Sequence, residues 1–210
     1  MRPDMPGFML CKRIGQSMHS LLLGLLCVCV LNACTPLIVG GVAVGVGALH
    51  DRRSAGTLID DKAIVLKAVG LRETNAKGQQ RSNISVDVYN RRVLLTGQAA
   101  DQQAITQFVQ HVQAIAQVRQ VLNEVVIAAE ASWGDATSDT YLTSKVKLAL
   151  LDVDVVGFDP TRVLVTSSLG TVYLMGLLTK DEILAATDKV RLVSGVKRVV
   201  RYFERYTPPQ

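Results

Sequence analysis

Apolar residues along this chain recur first at helical spacing, then alternate over two short runs, return to helical spacing, and end in a third alternating run. The same order occurs twice between residues 58 and 206. In the first copy Ile64, Val65, Leu66, Ala68 and Val69 belong to the opening helix. Ile84, Val86 and Val88 alternate as a half-buried strand does, and Val93 and Leu95 continue the alternation beyond an Asn90-Arg91 turn. Ile105, Phe108, Val109, Val112 and Ala116 fall at helical spacing, and Val118–Ile127 forms the last strand. In the second copy the helix positions are Leu142, Val146, Ala149 and Leu150. Strands over 163–167 and 171–175 flank Leu169-Gly170, the next helix buries Ile183, Ala186, Val190 and Val193, and residues 196–203 close the module. Two helices over one face of a three-stranded sheet is the simplest way for each copy to bury its apolar faces. The expectation is an α+β chain of two tandem modules, each a three-stranded mixed sheet packed by two helices in the order helix, strand, strand, helix, strand.

The copies align residue by residue. Val93-Leu94-Leu95-Thr96-Gly97 matches Val172-Tyr173-Leu174-Met175-Gly176. The interval from Gly97 to Gly176 suits a small domain better than a solenoid unit. Asp61 and Ile64 stand opposite Asp139 and Leu142, Lys67 opposite Lys145, and Val118-Arg119-Gln120-Val121 opposite Val196-Lys197-Arg198-Val199. Asp60 and Asp61 are expected at the positive end of the first helix, and Ser138 as the N-cap of its counterpart. Gly97 is expected where the strand meets its following loop, to permit close backbone approach or a positive φ. At roughly 70 residues each, the modules are near the lower limit for independent stability, so packing on each other would help.

The first fifty residues follow another pattern. Lys12 and Arg13 precede the apolar run 21–31, the arrangement of a positively charged region and hydrophobic core in a signal peptide. The run ends at Leu31-Asn32-Ala33-Cys34, which resembles the lipobox of bacterial lipoproteins, and this implies cleavage before Cys34, acylation of that cysteine and sorting to the outer membrane through Thr35. All four cysteines lie at or before position 34, so such cleavage leaves the folded part without a thiol for a disulfide or metal site. Pro36–Leu49 is apolar and glycine-rich but about 14 residues long, short of the roughly 20 a spanning helix needs. It reads either as a flexible tether or as a segment lying on a membrane surface. The boundaries that follow are 1–33 signal peptide, 34–57 lipidated cysteine and tether, 58–128 first module, 129–137 linker, 138–206 second module and 207–210 tail.

Composition adds a boundary on function. The 210 residues are 49% hydrophobic and 20% charged, an ordinary globular balance. From Cys34 onward 20 basic residues face 17 acidic ones, a net of +3. His19 leaves with the signal peptide, His50 lies in the tether, and His111 sits at the edge of an apolar helix stripe. None of the glycine-rich phosphate motifs, serine elbows or zinc-binding helices is present. Asp152, Asp154 and Asp159 lie close in sequence, but without the glycine and terminal glutamate of a calcium loop. No catalytic residue, metal or cofactor is expected, and nucleic acid is an unsuitable target for an exported chain.

What remains is a surface. Tyr141, Lys145 and Leu148 follow i, i+4, i+7 beside the buried stripe of the second module's first helix. An aromatic, a lysine and a leucine on one edge suit a membrane interface, or they flank the core and pack against the first module. Lys197, Arg198, Arg201 and Arg205 cluster on the last strand, as contacts to anionic headgroups, as a solvated face, or as a device that blunts a strand edge.

The Asp-Arg-Arg-Ser-Ala-Gly stretch at 51–56, the Asp-x-x-Ile/Leu helix starts, the V-x-L-x-G strands and Val193-Ser194-Gly195-Val196-Lys197-Arg198-Val199 together resemble the BON domain family, over about residues 51–206. With the lipobox, the pair is similar to dual-BON outer-membrane lipoproteins. The resemblance departs at Ala116-Gln117-Val118, where the usual glycine is missing. It implies a non-enzymatic, outer-membrane lipoprotein facing the periplasm that binds anionic phospholipid through its second module and supports envelope integrity. The implied lipid-contacting set is Tyr141, Leu142, Lys145 and Leu148, with Trp133, the sole tryptophan, either touching lipid or packing between modules. A second reading is a protein-binding adaptor for an outer-membrane assembly or cell-wall machine, working through the sheet faces or the junction.

Overall fold

A computed structural model describes residues 51–75, 83–128 and 133–208, all within the compact unit Val46–Gln210. The stretch expected as signal peptide, Cys34, the expected tether up to His50 and the expected loop 76–81 lie outside the described residues. Among those described, each module carries the expected elements. The first has α1 (Ala55–Asn75), β1 (Asn83–Tyr89), β2 (Arg92–Ala99), α2 (Gln102–Gln113) and β3 (Gln120–Ile127). The second has α3 (Trp133–Leu150), a short 3-10 turn (Pro160–Arg162), β4 (Val163–Ser168), β5 (Thr171–Leu178), α4 (Lys180–Arg191) and β6 (Arg198–Arg205). Each sheet pairs its first two strands as an antiparallel hairpin and its second and third in parallel. The parallel pair needs a crossover connection, and α2 and α4 supply it.

Several boundaries move for identifiable reasons. α1 begins at Ala55, ahead of the expected Leu58, because the Ser54 hydroxyl accepts the Thr57 N–H at 3.1 Å and so caps the helix. Asp60 and Asp61 therefore lie a turn inside the helix and not at its positive end. Ser138 is likewise inside α3 and not its N-cap; after Gly134 no proline or glycine stops the helix from extending back, so α3 starts at Trp133 within the stretch expected as linker. α2 ends at Gln113 and leaves Ala116 exposed beyond it. Gln117, where the family glycine is missing, still adopts φ +68.

Asp61 and Asp139 share a different task. Asp61 is 4% exposed and accepts the N–H groups of Asn90 and Arg91 at 2.8 and 2.6 Å. Asp139 accepts those of Leu169 and Gly170 at 2.8 and 3.1 Å. Both turns have two successive positive φ values, 52 and 60 in the first and 53 and 78 in the second. That is the two-residue hairpin geometry whose twist matches the strands. Asparagine, arginine and leucine adopt this conformation at a cost, and a carboxylate collecting both turn amides offsets it. One aspartate thus fastens each opening helix to its hairpin.

The V-x-L-x-G strands lie at the middle of each sheet. Val93 and Leu95 face α1 and α2 in one apolar cluster, and Val172 and Leu174 face α3 and α4 in another. The intervening residues are buried as well: Leu94, Tyr173 and Met175 join Tyr89 and Leu122 in a third cluster, between the two sheets. The molecule is thus layered helices, sheet, sheet, helices. A Cβ on Gly97 would stand 2.0 Å from the Asn83 carbonyl oxygen, with φ at +112, and one on Gly176 would stand 2.7 Å from that of Arg162. Close approach explains both glycines, and positive φ only the first.

Polar contacts tie the junction. Asp51–Ser54 straddles it: Arg52 donates to both Glu182 oxygens at 2.5 and 2.9 Å and to the Leu177 carbonyl at 3.0 Å, with its guanidinium 4.3 Å from the Tyr206 ring centre. Arg53 instead reaches Asp51 and Asp61 and lies over Tyr89. The Leu177 N–H donates to the Tyr89 hydroxyl and the Thr166 hydroxyl to Asp87. Arg119–Glu204 and Arg198–Glu124 cross in opposite senses. The Tyr202 hydroxyl donates to Glu124, and burial together with that carboxylate pushes the phenol up to about 12.

Candidate functional site

The Asp139 contact sets the pose of α3. With position 139 turned toward the hairpin, Leu142 falls into the module core at 5% exposure, while Tyr141 is left at the solvent edge, 66% exposed. One turn on, the Lys145 ammonium donates to the Ser194 carbonyl in the turn after α4 and lies 5.5 Å from the Tyr141 ring centre, within cation–π range. Across the hairpin, the Lys197 stem runs over Gly170, where a Cβ would stand 2.9 Å from it. Glycine there lets Lys197 lie flat over the turn. These parts enclose a shallow cavity of about 330 Å³ lined by Tyr141, Leu142, Lys145, Leu169, Gly170 and Lys197, among others.

Electrostatically the cavity is basic. Asp139 in its wall already serves two amides, and among the described residues neither Lys145 nor Lys197 forms an ion pair. The corresponding place in the first module keeps a lysine, Lys67 for Lys145, and differs in the rest. Ala63 stands for Tyr141, Arg91 for Gly170 and Arg119 for Lys197. Arg91 is paired with Asp60 at 3.3 Å and Arg119 with Glu204 at 3.0 Å. One module pairs both arginines of this corner with carboxylates, and the other leaves Lys197 outside any ion pair among the described residues, beside an exposed aromatic.

The residues expected from sequence are distributed as follows. Tyr141 and Lys145 come together at the cavity. Leu148 is 64% exposed further along the same helix edge, and Leu151, just past the helix end, extends the apolar edge at 65% exposure. Leu142 contributes only the cavity floor. Trp133 opens α3 instead of lying in a linker, and its side chain is outside the described residues, as is Cys34. The basic cluster on β6 divides: Lys197 joins the cavity, Arg198 crosses to Glu124, and Arg201 faces a separate groove beside α4. Sequence reasoning missed Leu151, which continues the same stripe at i+10. It also missed that Lys197 belongs with Tyr141, which depends on Gly170 in the β4–β5 hairpin turn.

Among the described residues no group of three or more His, Cys, Asp or Glu side chains could hold a metal. None of their helices is long and apolar enough to cross a membrane. Asp159 caps the 3-10 turn through Thr161, and Asp152 lies 3.8 Å from Lys189.

Comparison with known proteins agrees with the duplicated architecture. The BON domain model matches residues 70–129 and 138–204. The chain is 31% identical to the outer membrane lipoprotein DolP of Haemophilus influenzae over 174 residues, covering 83% of this chain and 89% of that protein. It is also 31% identical to a protein named 21 kDa hemolysin from Actinobacillus pleuropneumoniae over 152 residues, covering 72% and 77%. Among solved structures, a chain of CdsD, a structural protein of the Chlamydia trachomatis type III secretion system, aligns at a TM-score of 0.29 and 10% identity, over 66% of this chain and 91% of that solved chain.

Proposed function

The chain belongs to the BON domain family, as a dual-BON protein of the outer-membrane lipoprotein DolP type, and from that premise we propose that it is a non-enzymatic lipoprotein that binds anionic phospholipid through the α3 edge of its second module. In this reading Cys34 is acylated and holds the chain on the periplasm-facing side of the outer membrane, and the α3 contact supports envelope integrity. The observation that carries it is the contrast between the two modules: Tyr141 beside Lys145 and Lys197, neither in an ion pair among the described residues, in one, and Ala63 and Lys67 beside ion-paired arginines in the other.

The energetics suit a tethered contact. Each lysine near an anionic leaflet contributes about 1 kcal/mol, and inserting part of a tyrosine and a leucine adds apolar burial at about 25 cal/mol per Å². Such a contact is weak for a free protein. An acyl anchor raises its effective concentration at the membrane, and so a weak contact suffices. Tyr141, Leu148 and Leu151 would enter the interface while Lys145 and Lys197 meet phosphate groups, with Leu142 supporting the helix from inside.

The test is titration of the 46–210 unit with phosphatidylglycerol and phosphatidylcholine vesicles, read by sedimentation and by amide NMR. The expected result is binding to the anionic vesicles alone, with shifts confined to 138–151, 169–170 and 194–197, and its loss in Tyr141→Glu/Lys145→Glu. Shifts elsewhere, or binding that survives the double substitution, would overturn the proposal. The adaptor reading has less to draw on, because the sheet faces it would use are covered by helices on one side and by the other module on the other.

A further inference from the structure

We propose that the cleft between the two modules is a binding site for one long-chain fatty acid, held by its alkyl chain in the cleft and by its carboxylate at Lys62 and Lys147. This is a separate site from the α3 edge. The cleft measures about 470 Å³, within the range of about 300–1,000 Å³ common to small-ligand pockets, which are frequent at domain interfaces. Its walls come from both modules: Leu58, Val65 and Val88 on one side and Leu151, Val163 and Leu164 on the other. The position of these walls is fixed by the Asp87–Thr166 and Tyr89–Leu177 hydrogen bonds and by the Arg52 bonds to Glu182.

The polar groups in the lining select the headgroup. Arg53 and Asp61 satisfy each other at 2.8 Å, and Asp61 also serves the Asn90-Arg91 turn, so neither is available to a ligand. Lys62 and Lys147 are exposed, one from each module, and among the described residues neither forms an ion pair. The cleft therefore offers an apolar trough with two cations at its polar part; Asp87, whose field reaches Lys147, is bonded to the Thr166 hydroxyl, and Arg53 and Asp61 are bonded to each other. That combination fits a compact anion on an alkyl chain. Larger headgroups, which need several further hydrogen-bond partners, are not provided for. Leu151 belongs both to this lining and to the exposed edge of α3, so an apolar path leads from that edge into the cleft.

The experiment is calorimetric titration of the 46–210 unit with palmitate below its micelle concentration, alongside ¹³C-carboxyl NMR of labelled palmitate. The expected result is one palmitate per chain with a shifted carboxyl resonance. Lys62→Glu/Lys147→Glu should weaken binding by about tenfold or more, since opposite charges become like charges. Thr161→Trp, which adds bulk from an exposed rim position, should abolish it, with an unchanged melting temperature showing that the fold is intact. Tyr141→Glu/Lys145→Glu should leave palmitate binding unchanged even though it removes vesicle binding. Absence of saturable binding, a stoichiometry of several per chain, insensitivity to the paired lysine substitution, or loss through Tyr141→Glu/Lys145→Glu would each overturn the proposal.

Discussion

At the scale of single residues, the decisive side chains are those that settle a backbone conformation somewhere else. Removing the Asp61 carboxylate leaves two turn amides and one Arg53 N–H without their acceptor, while Arg53 keeps its bonds to Asp51. Asp61→Ala should lower stability by about 3 kcal/mol in denaturant titration, from the cost of unsatisfied buried donors. Asp139→Ala should cost less, because that residue is only half-buried. Gln117 presents the converse case: it holds φ +68 without being glycine, and Gln117→Gly should raise the melting temperature, by relief of about 1 kcal/mol of left-handed strain. The repeated aspartates and glycines were visible in the sequence as aligned pairs. Apart from the close approach or positive φ expected at Gly97, their reasons were not, because a turn amide on a distant hairpin or a carbonyl on a neighbouring strand has no signature in local pattern. Gly176 shows this well: it has no positive φ to explain it, and only the Arg162 carbonyl does.

At the scale of elements, periodicity revealed the α-helices and strands of the two modules but not the 3-10 turn, even though the central strands β2 and β5 are buried on both faces. Ends were read less well, because a cap such as Ser54 or the absence of a stop before Ser138 acts through single hydrogen bonds. The two opening helices also show how similar elements acquire different roles. α3 differs from α1 in a tyrosine for an alanine, yet its surroundings differ more, through Gly170 and Lys197 in place of the ion-paired Arg91 and Arg119. Ala63→Tyr in α1 should therefore confer no vesicle binding on the first module in the sedimentation assay, even when Tyr141→Glu/Lys145→Glu silences the second. Strand β1 carries a further prediction. Burial pushes the Asp87 carboxyl up, against the opposing effects of the Thr166 hydroxyl and Lys147. A raised folded-state value means that its charge destabilises the fold at neutral pH and that the penalty fades as pH falls through that value. Asp87→Asn, which can still accept from Thr166, should stabilise the chain at neutral pH, and melts at decreasing pH should show the gain disappearing.

At the scale of the whole molecule, the pairing of the sheets was the least legible feature. Leu94, Tyr173 and Met175 were apolar on the face that a single helix-covered sheet would leave to water, and that was the available sign. Which surface they meet is a matter of partners in the other module, far away along the chain. The junction also carries an acid-sensitive contact. Burial raises the Glu182 carboxyl, but Arg52 and Thr179 outweigh it and hold it below the usual glutamate range. A depressed folded-state value stabilises the fold above the ordinary value and ceases to do so as pH falls through the depressed one. Thermal melts of wild type and Glu182→Gln should therefore differ at neutral pH and converge in acid. Arg52→Ala, which strands that carboxylate, should cost about 3 kcal/mol. The same arginine has a mechanical meaning. Tension arriving along the chain from its N-terminal side meets the Arg52 clamp before it reaches either hydrophobic core, and one clamp spans both modules. A pull would load Glu182 and Tyr206 of the second module together with the helix that opens the first, so under force the modules should yield together and not peel apart one after the other.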